Sequence, residues 1–170
     1  MIDYFKKLKR AIDNINDFEI ERIVDELNKC KKKGKTVFII GNGGSASTAE
    51  HWVNDFMRKG VTAFALTNPA LITAIGNDFG YEDVFMEQFK VFLSKDDLVI
   101  AISGSGNSAN IVKALIYAHD NGNRCIGILG MDGGEAKKFC DVTMRINSND
   151  YGIIEDTHLS IGHYLSRRIK

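Results

Sequence analysis

Two glycine- and serine-rich loops contain the residue types best suited to binding a phosphate group. The first loop, Asn42 to Ser47, follows the apolar run from Thr36 to Gly41. The second, Ser103 to Ser108, follows a similar run that begins at Leu98. In each, a buried strand is expected to end in a turn of small residues, and a helix then begins with hydroxyl groups. Free backbone N–H groups, the positive end of a helix and short hydroxyl donors converge there, as a phosphate oxygen requires. The pattern predicts a phosphorylated small molecule held between strand ends.

Two further residues, close together in the sequence, are of types that bind metals or transfer protons. His51 and Asp55 are four positions apart on a predicted helix, so they share one face and can reach one metal ion. The alternative is an ordinary surface contact between neighbouring turns. His158 lies on the apolar stripe of the last predicted helix, which indicates a histidine packed in the core or at a subunit interface.

The elements that must position these residues alternate along the chain. Residues 3–33 have a helical apolar period, which predicts one long helix or two in succession. Strands are predicted at 36–41, 61–66, 98–103, 125–130 and 142–146. Helices are predicted near 45–58, 81–93, 108–122, 134–140 and 152–170, with a short helical turn around 69–76.

The order of these elements predicts an α/β fold with an open five-stranded parallel sheet flanked by helices. The strands are continuous apolar runs, which is typical of strands covered on both faces. Strand–helix alternation at this pitch favours right-handed crossovers and a parallel sheet, whose ligands bind at the carboxyl ends of the strands. The length is that of a single domain, 1–170, with an N-terminal helical segment at 1–33 and an α/β core at 34–170.

Two common nucleotide motifs can be compared with the first loop. Gly41 to Ala46 satisfies the loose dinucleotide pattern G-x-G-x-x-A, but the second predicted strand ends without the acid that binds ribose hydroxyls. Gly34 to Thr36 resembles the end of a P-loop, but this segment precedes its strand instead of following it. The remaining alternative is that both loops are merely tight turns; it stays open, although several serines at each helix start favour a phosphate site.

Composition excludes several classes of protein. Lysine plus arginine and aspartate plus glutamate each number 22, so no overall basic field favours nucleic acid as a partner. The basic stretch 29–35 closes a predicted helix, where cations complement the helix dipole. Three widely spaced cysteines match neither a disulfide framework nor a CxxC metal motif. With no signal peptide and no apolar run near the ~20 residues of a membrane span, we expect a cytoplasmic protein without a membrane partner.

Three segments resemble the sugar isomerase (SIS) domain family. They are Gly41 to Ser45, with the sequence GNGGS, Ala74 to Phe85, with AIGNDFGYEDVF, and Ser103 to Ser108, with SGSGNS. More narrowly, they are similar to the phosphoheptose isomerase family, which converts sedoheptulose 7-phosphate to D-glycero-D-manno-heptose 7-phosphate. The resemblance covers nearly the whole chain. Its middle segment is the most specific part, because SIS domains of other activities generally lack it.

The resemblance implies a homotetramer with sites between subunits, a phosphorylated sugar as substrate and a zinc ion in the site. Substrate contacts are then expected from the three segments and two neighbouring helices: Asn42, Gly43, Gly44, Ser45, His51, Asp55, Asn77, Asp78, Ser103, Gly104, Ser105, Ser108 and Glu155. The zinc ligands implied are His51, Asp55, Glu155 and His163. Glu155 and His163 lie two turns apart on one side of the last predicted helix, and both can contribute only if that helix lies lengthwise across the site. In the family the product feeds heptose precursors of lipopolysaccharide, capsule or S-layer glycans.

Two of these positions depart from the heptose isomerase pattern. The family usually has glutamate in place of Asp55 and glutamine in place of Glu155. In the family that glutamate is taken as the catalytic base and the matching histidine as the acid, which implies Asp55 and His163 as the catalytic pair. Aspartate is one methylene shorter, and a misplacement of ~1 Å can cost a hundredfold in rate, so Glu155 or Asp156 is the alternative base. Two carboxylates and two neutral imidazoles would formally neutralise Zn²⁺, which would be held at least as well but be a weaker Lewis acid.

Three functions follow from the sequence. The first is aldose–ketose isomerisation through a cis-enediol, with Asp55 as the base and His163 as the acid that serves O1 and O2. The second is a non-catalytic SIS protein, which senses a phosphosugar or binds a partner, as the SIS protein that associates with the bacterial replication initiator does. The third is the same chemistry on another sugar phosphate. A pure binder does not need two histidines and two carboxylates at matching ligand positions, so their presence favours an enzyme.

Overall fold

The computed structural model describes residues 2–170, which form seven α-helices and five β-strands. The helices are α1 (Ile2–Asp13), α2 (Asp17–Lys32), α3 (Gly44–Met57), α4 (Pro69–Asp78), α5 (Met86–Phe92), α6 (Ala109–Asp120) and α7 (Tyr151–Arg168). The strands are β1 (Thr36–Gly41), β2 (Thr62–Ala65), β3 (Leu98–Ser103), β4 (Arg124–Gly130) and β5 (Val142–Ile146). Short 3₁₀ turns cover Tyr81–Asp83 and Ala136–Phe139.

The five strands form one parallel sheet in the order β2-β1-β3-β4-β5. The chain winds outward from β1 in one direction to β2 and in the other direction to β3, β4 and β5. Gly41 at the end of β1 pairs with Ile102 near the end of β3, so the two loops that follow these strands lie side by side. In open parallel sheets, ligands bind where the winding direction reverses. The predicted sheet is confirmed, and its strand order brings both serine-rich loops to this point.

Helices cover both faces of the sheet. On one face, α2, α3 and α7 bury a core that includes Ile23, Trp52 and Leu165. On the other face, α5 and α6 bury a second core that includes Phe89 and Ile111. Because each face is covered, the central strands β1 and β3 are buried along nearly their whole length, as their continuous apolar runs predict.

The N-terminal segment forms two successive helices. Asn16 begins α2 as its N-cap, because its side-chain oxygen accepts a 3.0 Å hydrogen bond from the backbone N–H of Phe18. The sequence left open whether this segment is one helix or two. The structure has two helices, and the N-cap at Asn16 marks where the second begins. Residue 1, with which the predicted segment begins, lies outside the described residues.

Several predicted boundaries differ from the structure. The predicted strand 61–66 is shortened to β2, and the predicted turn 69–76 is a full helix, α4, capped by Asn68. The predicted helix 81–93 was wrong in its first turn, where Asp83 N–H bonds to the Gly80 carbonyl in an i→i+3 pattern before α5 begins. The predicted helix 134–140 is only a 3₁₀ turn, which ends at Cys140, where the backbone is extended.

The described helices leave no candidate for a bilayer crossing: none formed by residues 2–170 combines the required length with the required apolar character.

Candidate active site

The first loop turns the chain from β1 into α3. Gly43 has φ +52° and ψ −121°, a conformation that L side chains rarely adopt, so only glycine forms this turn without strain. Gly44 begins the helix, and Ser45 is buried in its first turn. None of the described side chains forms a capping hydrogen bond at this helix start. Its positive end is therefore open to an anion.

The side chain of Asn42 ties the first loop to the opposite face of the sheet. Its amide exchanges two hydrogen bonds with the buried Asn110 amide, at 2.9 and 2.8 Å. The Tyr81 hydroxyl donates to the same Asn42 oxygen at 3.1 Å. Sequence analysis predicted Asn42 as a substrate contact, but it missed Asn110, whose place on the helix after the second loop was the available signal. In this structure the Asn42 amide positions the loop.

The second loop is held by hydroxyl groups that bond to its own backbone. The Ser103 hydroxyl accepts a hydrogen bond from the N–H of Gly106 at 3.0 Å, and the Ser105 hydroxyl accepts one from Asn107 at 3.1 Å. Both serines keep an O–H donor free for a ligand, since each uses only an acceptor lone pair here. Ser108 precedes α6 as its N-cap, and its side chain makes no capping hydrogen bond. The hydroxyl of Ser108 is thus available to an anion at the start of this helix.

The two loops line one small cavity of about 110 Å³. Its walls are mostly hydroxyl, amide and backbone groups, and they are formed by Asn42, Ser45, Ile102, Ser103, Gly104, Ser105, Ser108, Tyr151 and Glu155. Seven of these nine residues belong to the predicted substrate contacts. We refer to this cavity as the anion cradle, because two helix starts and several hydroxyls face it.

Tyr151 was missed as a site residue and forms one wall of the anion cradle. Its ring lies so close to Gly104 that a β-carbon at that position would come within 2.6 Å of it. Gly104 is therefore required by the close approach of an aromatic ring. The signal in the sequence was the place of Tyr151 in the first turn of the last helix, four residues before Glu155.

Three of the four predicted metal ligands lie together on the face shared by α3 and α7. The Nε2 atoms of His51 and His163 are 2.9 Å apart. Oδ2 of Asp55 lies 3.6 Å from His51 Nε2 and 3.9 Å from His163 Nε2. The two imidazoles are about half exposed, and the carboxylate is mostly covered. Two imidazoles and one carboxylate within 4.8 Å of one another can share one metal ion.

The donor set and its spacing fit a small divalent metal. Tetrahedral zinc with bonds of 2.0–2.2 Å places its ligand atoms about 3.3 Å apart, and the three measured separations lie on both sides of this value. The sequence spacing predicted that His51 and Asp55 face the same side, and the structure adds His163 from 108 residues further along the chain.

The fourth predicted ligand, Glu155, lies outside this group in the single chain. Its carboxylate packs against the backbone of Gly44, where an added β-carbon would lie 2.6 Å from Oε2 and 2.9 Å from Oε1. Helices α3 and α7 begin at the same edge of the sheet and pack along each other. As a result, Glu155 lies beside the start of α3, and His163 lies beside His51 two turns further along. Glu155 therefore faces the anion cradle, and His163 faces the metal group.

Asn77 and Asp78 lie apart from both groups in the single chain. They end α4, where they are exposed, and the Asn77 amide donates a 2.8 Å hydrogen bond to the Asp78 carboxylate. The helix that carries them has no buried residue. Their predicted contact with the substrate can therefore form only if another molecule brings a binding surface against this exposed end of α4.

His158 is packed inside the chain, as its place on the apolar stripe indicates. It is fully buried, and both ring nitrogens lack a hydrogen-bond partner among the described residues. Burial lowers the pKa of His158 to about 3, because the charged form would lose its hydration. The imidazole is therefore neutral at pH 7 and is part of the buried interior.

Comparisons with known proteins agree with this geometry. The SIS domain family matches residues 2–130. The phosphoheptose isomerase of Clostridium acetobutylicum is 40% identical over 152 residues, which cover 85% of this chain and 78% of the relative. The phosphoheptose isomerases of Neisseria gonorrhoeae and Francisella tularensis have similar structures, each with a TM-score of 0.91. They are 27% and 29% identical to this chain and match 98% of it, over 92% and 94% of their own lengths.

Proposed function

The chain belongs to the SIS domain family and, within it, to the phosphoheptose isomerases, and from this membership we propose that it isomerises sedoheptulose 7-phosphate to D-glycero-D-manno-heptose 7-phosphate. One observation carries the proposal: a serine-lined anion cradle and a histidine–carboxylate group lie along the same helix, α3. The cradle suits a terminal phosphate, and the second group suits proton transfer at the other end of a sugar.

The anion cradle anchors the phosphate. Hydroxyls of Ser103, Ser105 and Ser108 and the open start of α3 supply neutral donors and helix dipoles to its oxygens. From Ser45 to His51 the helix rises by about 9 Å. A phosphate bound in the cradle therefore directs the polyol chain along α3, and its binding energy positions the reacting carbons beside His51 and Asp55.

We assign proton transfer between C1 and C2 to Asp55 and His163. Oδ2 of Asp55 faces the two imidazoles, while the hydrogen bond that Oδ1 accepts from a described residue is a long one, 3.4 Å from Asn54. We therefore assign Oδ1 as the oxygen that takes the proton from carbon. His163 lies across from this carboxylate; through the ring nitrogen that a metal leaves free, it gives a proton to O2 as the enediol forms and takes the proton of O1 as the C1 carbonyl forms. A positioned acid–base pair of this kind contributes about 10²–10⁴-fold in rate.

We propose zinc as the resident metal, held by His51, Asp55 and His163. The mixed imidazole and carboxylate donors support this choice. When bound, the metal would stabilise the negative charge that develops on the substrate oxygens. The prediction that Glu155 completes the ligand set requires its carboxylate to leave Gly44.

We also propose a homotetramer with sites at subunit interfaces. Support comes from α4, which carries Asn77 and Asp78 but buries no residue within the chain. Beside it lies an apolar groove of about 410 Å³ that includes the exposed rings of Phe64 and Phe92 and the side chain of Leu71. A second subunit over this surface would cover apolar area. Light scattering during gel filtration measures the mass directly. A role in heptose precursors of surface glycans and a cytoplasmic location remain predictions from the sequence.

The reaction is tested by incubating the zinc-loaded protein with sedoheptulose 7-phosphate in D₂O and following it by NMR. We expect an aldoheptose phosphate to form. Deuterium at C2 of the product would show that the base exchanges its proton with solvent. A shift of substrate signals on binding, with neither product nor exchange at C1, would instead indicate a phosphosugar sensor.

The assignment of the base is tested with Asp55→Asn. This variant should lose at least about a hundredfold in kcat while it keeps the wild-type circular dichroism spectrum. Asp120→Asn is the matched control, because Asp120 is an exposed carboxylate at the far end of α6. Near-wild-type activity in Asp55→Asn would transfer the role of base to Glu155.

A further inference from the structure

The carboxylate of Glu155 forms part of the wall of the anion cradle. It lies against Gly44, the first residue of α3, and it lines the cradle together with Ser45 and the serines of the second loop. Among the described residues, no side chain forms a hydrogen bond that caps the start of this helix. The positive end of the helix dipole favours a negative group beside it, whether this is the carboxylate of Glu155 or a bound phosphate.

Within the described part of the chain, Glu155 has no cationic partner. It takes part in none of the salt bridges that residues 2–170 form. The neighbouring charges at the start of α7 are negative as well. Asp150 caps the helix, and Asp156 accepts a 2.6 Å hydrogen bond from Tyr4. This bond, with burial and the nearby carboxylates, raises the pKa of Tyr4 to about 12.

We propose that Glu155 is a built-in anion of the cradle and that a phosphate group binds by displacing it. The inference rests on the proposed function, which supplies the phosphate. A cavity of about 110 Å³ with a carboxylate in its wall cannot hold a phosphate dianion beside that carboxylate without strong repulsion. Glu155 therefore lowers the affinity of this site for a phosphate group alone. It favours phosphorylated ligands whose sugar makes further contacts, because these contacts supply the free energy that displacing the carboxylate costs.

The proposal is tested by calorimetric titration of the full-length protein with inorganic phosphate. Glu155→Gln removes the charge, and Glu155→Ala removes the competing group altogether. Both variants should bind phosphate about tenfold more tightly than the wild type, because the ligand no longer has to displace a carboxylate. Circular dichroism checks that each variant is folded.

Asp156→Asn is the matched control for the proposal. It removes the same charge one residue along α7, but on the side that faces Tyr4 instead of the cradle. Its phosphate affinity should stay within about twofold of the wild type. An equal gain in Asp156→Asn would show a general charge effect of this helix and would overturn the role of Glu155.

Three other outcomes also overturn the proposal. Unchanged or weaker phosphate binding in Glu155→Ala would show that the carboxylate does not compete, and a gain in Glu155→Gln alone would assign the effect to a new amide contact. The titrations are made with and without equimolar zinc, and a gain confined to the zinc-loaded protein would place the effect at the metal.

The same titrations separate this proposal from the proposed function. If neither the wild type nor any variant binds phosphate, the cradle itself is refuted, and with it the phosphate anchor of the proposed function. If the wild type binds phosphate and isomerises the substrate, that function stands whatever Glu155 does.

Discussion

The buried imidazole of His158 should make the folded protein lose stability as the pH falls, and His158→Leu should remove this loss. In the native state burial lowers the pKa of His158 to about 3, whereas in the unfolded chain it has the ordinary value of 6.5. Below pH 6.5 the unfolded state binds a proton that the folded state does not bind, so the free energy of unfolding decreases as the pH decreases. The loss continues down to about pH 3, where the folded form also takes up the proton.

The size of the effect follows from these two pKa values. Each pH unit between them is worth about 1.36 kcal/mol. From pH 7.5 to pH 5.0, His158 should therefore lower the free energy of unfolding by about 2 kcal/mol. With a urea m-value of about 2 kcal/mol/M, the urea midpoint should shift by about 1 M. Leucine fills the same apolar stripe between Ile154 and Ile161 without an ionisable group.

Urea unfolding can be followed with the fluorescence of Trp52, the single tryptophan, which is fully buried. Midpoints of the chelator-treated wild type and His158→Leu are compared at pH 7.5 and pH 5.0, so that the carboxylates common to both proteins cancel. His119→Gln is the control, because His119 is an exposed histidine. The reasoning is refuted if His158→Leu keeps the full pH dependence of the wild type, or if His119→Gln reduces it equally.

Three further predictions concern the cradle, the helix contact and the metal group. Ser108→Ala should raise KM for the phosphosugar about tenfold with little change in kcat, because it removes one hydrogen bond to a charged group; unchanged KM would exclude Ser108 from the phosphate site. Gly162→Ala should lower Tm by about 4–10 °C, since the new methyl group would collide with the fully buried indole of Trp52; an unchanged Tm in a thermal scan would contradict this contact. Calorimetry should detect one zinc ion per chain, and His163→Gln should weaken its binding at least about tenfold, whereas equal affinity in this variant would move the metal elsewhere.

Much of the fold could be predicted because its causes are local. The apolar runs of β1 and β3 specify buried parallel strands, and the glycines and serines that follow them specify turns into helices. The spacing of His51 and Asp55 places both on one face of α3, which the structure confirms. The predicted helix boundaries were less accurate at Tyr81–Asp83 and Ala136–Phe139, which form short 3₁₀ turns. A single i→i+3 turn is too short to produce a periodic pattern in the sequence.

The sequence by itself determined the kinds of groups in the site, and the tertiary structure decided which of them meet. Glu155 and His163 share one side of α7, and only the packing of α7 along α3 directs the first toward the anion cradle and the second toward His51. In the same way, the strand order brings together the two loops, which are about sixty residues apart in the chain. The physical reason is that helical and strand periods fix which face a side chain occupies, whereas the neighbour of that face depends on how whole elements bury their apolar surface against one another.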